Sequence, residues 1–188
     1  LQWEMGRENC IIVHLTLVPY LKAAKELKTK PTQHSVKLMS ENGLSPDIIV
    51  CRAEEPLNAD VKRKIALFCN VRPEAVIEAA DADTIYDVPL HMMQENLDAI
   101  CLEKLQLPMG NEPLLKNWKD FLKKLKHPKS KVTIGLVGKY VELQDAYKSI
   151  LESFIHAGAM NECKVEVRNI HSEYLDAENV KSNRSEEH

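Results

Sequence analysis

The sequence contains neither of the two common glycine-rich phosphate-binding motifs, G-x-x-x-x-G-K-[ST] and G-x-G-x-x-G. A standard glycine-rich phosphate cradle is therefore excluded within these residues. Basic residues are not in excess, because 25 Lys and Arg stand against 28 Asp and Glu. This balance argues against a general nucleic-acid-binding protein. No apolar run reaches the ~20 residues of a membrane span, and no signal-peptide pattern opens the chain, so we expect neither nucleic acid nor a membrane as partner.

The cysteine pattern is equally poor in features that carry chemistry. The five cysteines form no C-x-x-C pair, and Cys51 and Cys69 lie inside apolar runs. This usage is typical of reduced thiols in a cytoplasmic protein. No cysteine has the glycine-rich surroundings of a nucleophile elbow, so we predict no catalytic thiol. The stretch "DADTIYD" lacks the glycine and glutamate of a calcium loop, and we predict no metal site.

The apolar segments that are present alternate between strand and helix patterns. Hydrophobic residues make up 44% of the chain, which is enough for a core. The run "CIIVHLTLV" (residues 10–18) predicts a strand that is buried on both faces and ends before Pro19. Further segments follow the same alternation: helix 31–43, strand 46–51, helix 58–69, strand 74–79 and helix 89–107. We therefore predict an α/β fold with a parallel sheet.

A second series of elements follows a cluster of helix-breaking residues, "PMGNEP". The lysine-rich stretch after it predicts a short helix with Leu115, Trp118, Leu122 and Leu125 on one face. Its charged surface either joins two domains or meets an acidic partner. A strand, a helix capped by Asp145 and ended by Gly158, and another strand are predicted next. The predicted domains are residues 1–107, a linker at 108–130 and residues 131–188.

The stretch "KTKPTQ" after the first strand is the strongest candidate for a binding site. Lys28 and Lys30 bring two positive charges, and Pro31 starts a helix whose N-terminal amides favour anions. Thr29, Thr32 and Gln33 add neutral hydrogen-bond donors. Ligands of α/β proteins bind where loops leave the carboxyl ends of strands. Two interpretations remain open at this point, a solvated turn and a phosphate site.

Three further residues have both a functional and an ordinary interpretation. Lys64 lies on the helix 58–69, either as a surface lysine or as a ligand for an anion. Arg52 follows the strand 46–51, where its guanidinium suits stacking or a bidentate contact with an anion. His14 lies inside a strand, which favours a hydrogen-bonded core histidine over a ligand.

Several of these segments together resemble the CTP synthase family. The resemblance is carried by "HLTLVPYL", "ELKTKPTQHSVK", "PDIIVCR", "KIALFCNV" and "VTIGLVGKYVELQDAYKSI". It implies a P-loop-like amidoligase fold followed by a class I glutaminase-type α/β domain. It also implies a cytoplasmic ligase that makes CTP from UTP, ATP and ammonia, with the ammonia taken from glutamine. Mg2+ with ATP, GTP as activator, CTP as inhibitor and a homotetramer are further implications.

The resemblance assigns roles to individual residues. The UTP- and CTP-binding segment of the family matches Lys28, Thr29, Lys30, Pro31, Thr32 and Gln33, with a further lysine at Lys64. The ATP-binding residues match Arg52, Ala80, Asp81 and Ala82. Many relatives have a basic residue where this chain has Ala80, so we expect backbone contacts at that position.

The resemblance also implies which part of the family's chain is present. It indicates the C-terminal part of the synthetase domain, the linker and the start of the glutaminase domain. The family's phosphate loop, magnesium ligands and glutaminase catalytic residues match nothing in the sequence, so we expect no catalytic residue and no activity of this stretch alone. A catalytically silent nucleotide-binding fragment or regulatory relative is the alternative. A third possibility is a different amidotransferase or a P-loop-like dethiobiotin-synthase relative, and the second α/β pattern after Lys131 disfavours a one-domain relative.

Overall fold

A computed structural model describes residues 2–110 and 115–175 of the chain. The chain divides into two compact units, residues 1–112 and residues 113–188, and each is described by itself. Parts of the predicted linker and second domain, at 111–114 and 176–188, lie outside the described residues. The predicted domain assignments therefore remain predictions. Within the described ranges, none of the helices combines the length and apolarity needed to cross a membrane.

The first unit alternates strands and helices along the chain. Its elements are α1 (Gln2–Met5), β1 (Val13–Leu17), β2 (Tyr20–Leu21), β3 (Glu26–Leu27), α2 (Lys30–Glu41), β4 (Ile48–Ala53), α3 (Ala59–Cys69), β5 (Val76–Ala80), α4 (Val88–Gln94) and α5 (Leu97–Lys104). Strands β1, β4 and β5 form a three-stranded sheet in that order. Both pairings are parallel, which confirms the predicted α/β fold with a parallel sheet.

Apolar side chains cover β4 and β5 on both faces. One cluster joins Val36 of α2 and Ile65 of α3 to Ile49 and Cys51 of β4. The other joins Ile48 and Val50 of β4, and Ile77 of β5, to Ile100 of α5. Cys51 and Cys69 are fully or almost fully buried, and burial, more than the neighbouring Cys69, raises the pKa of the Cys51 thiol to about 12.

Strand β1 differs from the prediction that it is buried on both faces. Val13, Leu15 and Leu17 are exposed by 44%, 64% and 56%. In the parallel register Leu15 pairs with Val50, so these side chains lie on the same face of the sheet as Val50. Helices α4 and α5 cover this face over β4 and β5 but leave β1 uncovered. The opposite face of β1 packs on α2, where His14 Nε2 lies 2.9 Å from Ser35 Oγ. This bond confirms the interpretation of His14 as a hydrogen-bonded histidine.

Helix ends follow the local signals in two cases. The Asn58 side chain accepts a hydrogen bond from the Val61 amide at the start of α3, as its type and position predict. Gly43 follows α2 with a φ of +77°, the left-handed conformation typical of a helix end. The predicted helix 89–107 is wrong as a single element, because Asn96 takes a φ of 58° and separates α4 from α5.

The second unit contains α6 (Lys116–Lys126), β6 (Ser130–Gly138), α7 (Lys148–Met160) and β7 (Cys163–His171). Strands β6 and β7 pair in parallel, and α7 packs against β7. Leu122 is the buried residue of α6. Tyr147, rather than Asp145, is the N-cap of α7. Gly158 does not end this helix but lies buried inside it, where a Cβ would stand 2.7 Å from the Cys163 carbonyl oxygen.

Candidate functional site

The carboxyl ends of the three parallel strands bring two candidate regions to one edge of the first unit. Leu17 of β1 pairs with Arg52 of β4, and Arg52 in turn pairs with Ala79 of β5. The Val18 amide donates to the Arg52 carbonyl over 2.8 Å, which continues the alignment past the end of β1. The ends of these strands and the segments that follow them carry the residues predicted to bind nucleotides, except Lys64, which lies on α3.

A small hairpin that the sequence did not indicate lies between β1 and α2. Strands β2 and β3 pair antiparallel, with Tyr20 opposite Leu27. Lys25 takes a positive φ of 49° immediately before β3. The presence of a lysine in a sequence does not predict this conformation. The Lys28 amide then donates to the Pro19 carbonyl over 2.9 Å. The hairpin therefore returns the chain to the end of β1 before α2 begins.

The lysine segment, defined as residues 28–33, separates into inward and outward side chains. Thr29 and Thr32 are buried. The Thr32 hydroxyl donates to the Leu17 carbonyl over 3.2 Å, and the Gln33 amide donates to Thr29 Oγ1 over 3.0 Å. Thr32 therefore attaches the first turn of α2 to the end of β1, and the bond between Gln33 and Thr29 holds the turn itself. Lys30 is exposed, so it stays accessible to a ligand.

A carboxylate accompanies the cations of this region. Lys28 forms an ion pair with Glu26, and both side chains are about half exposed. The hydrogen bond from Lys28 is the largest cause that holds the pKa of the Glu26 carboxyl below its usual value, followed by the Lys28 charge. The charge of Lys64 on α3 lowers the same pKa further. Lys28 is thus the direct partner of Glu26, and Lys64 contributes a weaker favourable charge to the same carboxylate.

The second candidate region is a cavity of about 470 Å³ beside Arg52. It is lined by Leu15, Val50, Arg52, Ala79, Ala80, Asp81, Ala82, Ile85, Val88, His91 and Met92. Arg52 Nη2 lies 2.5 Å from Asp81 Oδ1, and the Asp81 amide donates to the Ala53 carbonyl over 3.3 Å. The Arg52 cavity thus combines an apolar lining with one oriented guanidinium group.

This combination suits a flat, largely apolar ring with polar edges. Apolar walls exclude water from such a ring, and a planar guanidinium stacks on it or meets a charged substituent. All four residues predicted for ATP lie in the lining. Sequence reasoning missed the apolar half of the cavity, formed by Leu15, Ile85 and Met92. Ile85 and Met92 follow β5 in segments that carry no local binding signal.

Two further places offer less chemistry. A cavity of about 530 Å³ in the second unit is lined mainly by apolar residues of α6, α7 and β7, with Cys163 at the start of β7. Within residues 2–110 and 115–175, no three His, Cys, Asp or Glu side chains group closely enough to hold a metal ion. The described cysteines include no disulfide.

Comparisons with known proteins agree on one family. The family model described as "CTP synthase N-terminus" matches residues 1–107. A CTP synthase of Cytophaga hutchinsonii is 65% identical over 95% of this chain and 33% of its own length. One from Flavobacterium johnsoniae is 62% identical over 96% of the chain and 34% of its own length. One from Chlorobaculum tepidum is 54% identical over 96% of the chain and 32% of its own length.

The extent of these matches corrects one prediction. The chain spans about a third of the length of the curated relatives, and the relatives align beyond the first unit into the second. Residues 1–107 match the N-terminal synthetase region of the family, so their description as a C-terminal part is wrong. The motifs that carry the resemblance identify the family, but they do not show where in the family's synthetase region the matching residues lie.

Proposed function

Because this chain belongs to the CTP synthase family, we propose that the whole protein aminates UTP to CTP, with ATP and with ammonia taken from glutamine. In this reaction the terminal phosphoryl group of ATP moves to the uracil 4-oxygen. Ammonia then adds to C4, the ring carbon that bears this oxygen. The nitrogen loses a proton, and the C4–O bond breaks to release inorganic phosphate. The residues of this chain would bind and position the two nucleotides rather than transfer protons.

One observation carries the proposal at the level of the site. The lysine segment and the Arg52 cavity lie at the carboxyl edge of the same parallel sheet, joined through the Leu17, Arg52 and Ala79 register. A reaction that transfers a phosphoryl group from one nucleotide to another needs two neighbouring sites with different chemistry. The segment supplies cations for phosphates, and the cavity supplies an apolar place for a ring.

In the proposed UTP and CTP site, Lys28, Lys30 and Lys64 neutralise the triphosphate. Thr29, Thr32 and Gln33 hold the first turn of α2 through their internal hydrogen bonds. The start of α2, with Pro31 in its first turn, adds the positive end of the helix dipole toward the bound anion. This arrangement gives the segment a positioning function as well as a charge.

In the proposed ATP site, the adenine ring occupies the Arg52 cavity. Arg52 would stack on the ring or meet its edge, and the backbone of Ala80, Asp81 and Ala82 would hydrogen-bond with it. The Asp81 side chain orients the guanidinium through the 2.5 Å ion pair. Ala80 contributes no charge, so the assignment to this position concerns its backbone only.

The remaining parts of the proposal concern the whole protein. Mg2+ would accompany ATP, and the described residues bring no three His, Cys, Asp or Glu side chains together that could hold it. Residues 108–130 would form a linker, and residues 131–188 would begin a glutaminase domain. We further propose GTP as activator, CTP as inhibitor, a homotetramer and a cytoplasmic location, all from membership of the family.

The reaction itself is the direct test. The purified full-length protein that contains this chain is incubated with UTP, ATP, Mg2+ and glutamine, and CTP is separated and quantified. We expect CTP that depends on both UTP and ATP. Binding of UTP and ATP without any CTP would contradict the proposal in favour of a catalytically silent nucleotide-binding relative.

A further inference from the structure

The hairpin places an acidic side chain next to the cations of the lysine segment. Glu26 belongs to β3 and Lys28 follows two residues later. Residues two apart on an extended chain point to the same side. The pairing of Tyr20 with Leu27 and the bond from the Lys28 amide to the Pro19 carbonyl define this part of the backbone. The ion pair between Glu26 and Lys28 follows from that geometry.

Lys28 is the ion-pair partner of Glu26 and the main cause of its altered pKa. This pKa is lowered first by the hydrogen bond from Lys28, then by the Lys28 charge, and additionally by Lys64. Glu26 is therefore ionised at neutral pH and pairs with one of the cations of the lysine segment. A phosphate group that uses the same cations meets this negative charge.

We propose that Glu26 limits the affinity of the pyrimidine-nucleotide site, because its carboxylate occupies Lys28 and must release it when a triphosphate binds. This inference rests on the proposed function of the lysine segment. Glu26 acts here as a positioning residue that holds Lys28 in the absence of ligand and competes with the incoming anion.

A contribution to the stability of the fold does not explain the ion pair between Lys28 and Glu26. The side chains of Lys28 and Glu26 are 41% and 52% exposed. Exposed ion pairs contribute little to stability, since water screens both charges and two long side chains lose freedom. The repulsion between Glu26 and a multiply charged ligand is a larger electrostatic effect, because the ligand brings several negative charges to one place.

The test is a double-mutant cycle in the full-length protein, with UTP as the probe and calorimetry as the measurement. Glu26→Gln keeps the size of the side chain and removes its charge. We expect it to tighten UTP binding about threefold to tenfold. Lys28→Ala should weaken UTP binding about tenfold. In the background of Lys28→Ala, the gain from Glu26→Gln should disappear.

The matched control is Glu41→Gln on α2. Glu41 is also exposed and pairs with Lys37 at 4.0 Å, so this variant makes the same change in net charge away from the lysine segment. We expect unchanged UTP affinity for Glu41→Gln and unchanged ATP affinity for Glu26→Gln. Circular dichroism and thermal unfolding verify that each variant keeps its fold.

The outcomes separate this inference from the proposed function. Unchanged or weaker UTP binding in Glu26→Gln, together with the expected loss in Lys28→Ala, overturns the inference alone. A gain that persists in the Lys28→Ala background also overturns it, because competition for Lys28 would not be the cause. UTP binding that is insensitive to Lys28→Ala contradicts the assignment of the nucleotide site itself.

Discussion

The lysine segment and the Arg52 cavity lie at the same edge of one sheet, but different structural elements hold their cations in place. Arg52 is the penultimate residue of β4, the central strand, whose other residues are buried on both faces. Lys28 follows a hairpin with two residues in each strand. A cation on a central strand has a position defined by its neighbours, whereas a cation after a short hairpin depends on a few local bonds.

The two regions also differ in how their carboxylates relate to the proposed ligands. Asp81 belongs to the lining of the Arg52 cavity and orients the guanidinium from the side. Glu26 pairs with Lys28, one of the cations that a triphosphate would use. We therefore expect the same chemical pair, a cation with a carboxylate, to support binding in one region and to oppose it in the other. Four predictions test this contrast, in order of decreasing effect.

The largest expected effect concerns Cys51, which precedes Arg52 in β4. Burial raises the pKa of its thiol to about 12 from an ordinary 9.0, so at pH 8 the reactive thiolate is about a thousandfold scarcer than in an ordinary thiol. We expect pulsed iodoacetamide and mass spectrometry to show almost no label on Cys51 in the native protein. Equal labelling of Cys51 in native and urea-denatured protein would show that the central strand opens readily.

The second prediction concerns the lysine segment. The double variant Lys28→Ala with Lys30→Ala removes both accessible cations, and a hydrogen bond to a charged group contributes about 1.5 kcal/mol or more. We expect UTP affinity to fall about 100-fold, with little change in glutamine affinity, as measured by calorimetry in the full-length protein. Lys37→Ala, on the same helix, is the control. A normal UTP affinity in the double variant would contradict a phosphate site here.

The third prediction concerns the Arg52 cavity. Arg52→Ala should weaken ATP binding about tenfold, the effect of losing one contact of about 1.4 kcal/mol. Asp81→Asn keeps a hydrogen-bond acceptor and loses only an exposed ion pair, so its effect should stay below about fivefold. Fluorescence titration with an ATP analogue measures both. If Asp81→Asn weakened ATP binding more than Arg52→Ala, we would conclude that Asp81 contacts ATP directly and does not act by positioning Arg52.

The smallest expected effect concerns the helix that carries Lys64. Asn58 caps α3 with its side chain, and losing such a cap costs about 1 kcal/mol. In Asn58→Ala we expect the α3 amides to exchange hydrogen about fivefold faster. Asn58→Asp keeps the acceptor and should retain protection. Equal exchange in both variants would show that packing, rather than the cap, determines the stability of α3.

Local signals in the sequence account for much of the first unit. Asn58 predicts the start of α3, Pro31 and Gly43 predict the ends of α2, and the apolar runs predict parallel strands. These features depend on one residue type at one place. The positive φ of Lys25 and the break at Asn96 could not be predicted in the same way, because neither residue requires the conformation that it adopts.

The candidate site could be predicted only in part for a related reason. The motif residues Lys28, Lys64 and Arg52 are recognisable through their charge and through family resemblance. The cavity wall combines Leu15 of β1 with Ile85 and Met92, which come close only through the order of strands and helices. Glu26 was missed because a single acidic residue beside lysines is common, and its position depends on the hairpin.

The pairing of strands that are distant in the chain also bears on when the proposed nucleotide sites form during folding. Both pairings of β4 join strands that are distant in the chain, and each requires a helical crossover to close first. Such contacts form slowly compared with local turns. We expect Arg52 to reach its place only after both pairings exist, so affinity for ATP should emerge late in folding. The appearance of ATP binding would then report the last step in the folding of this unit.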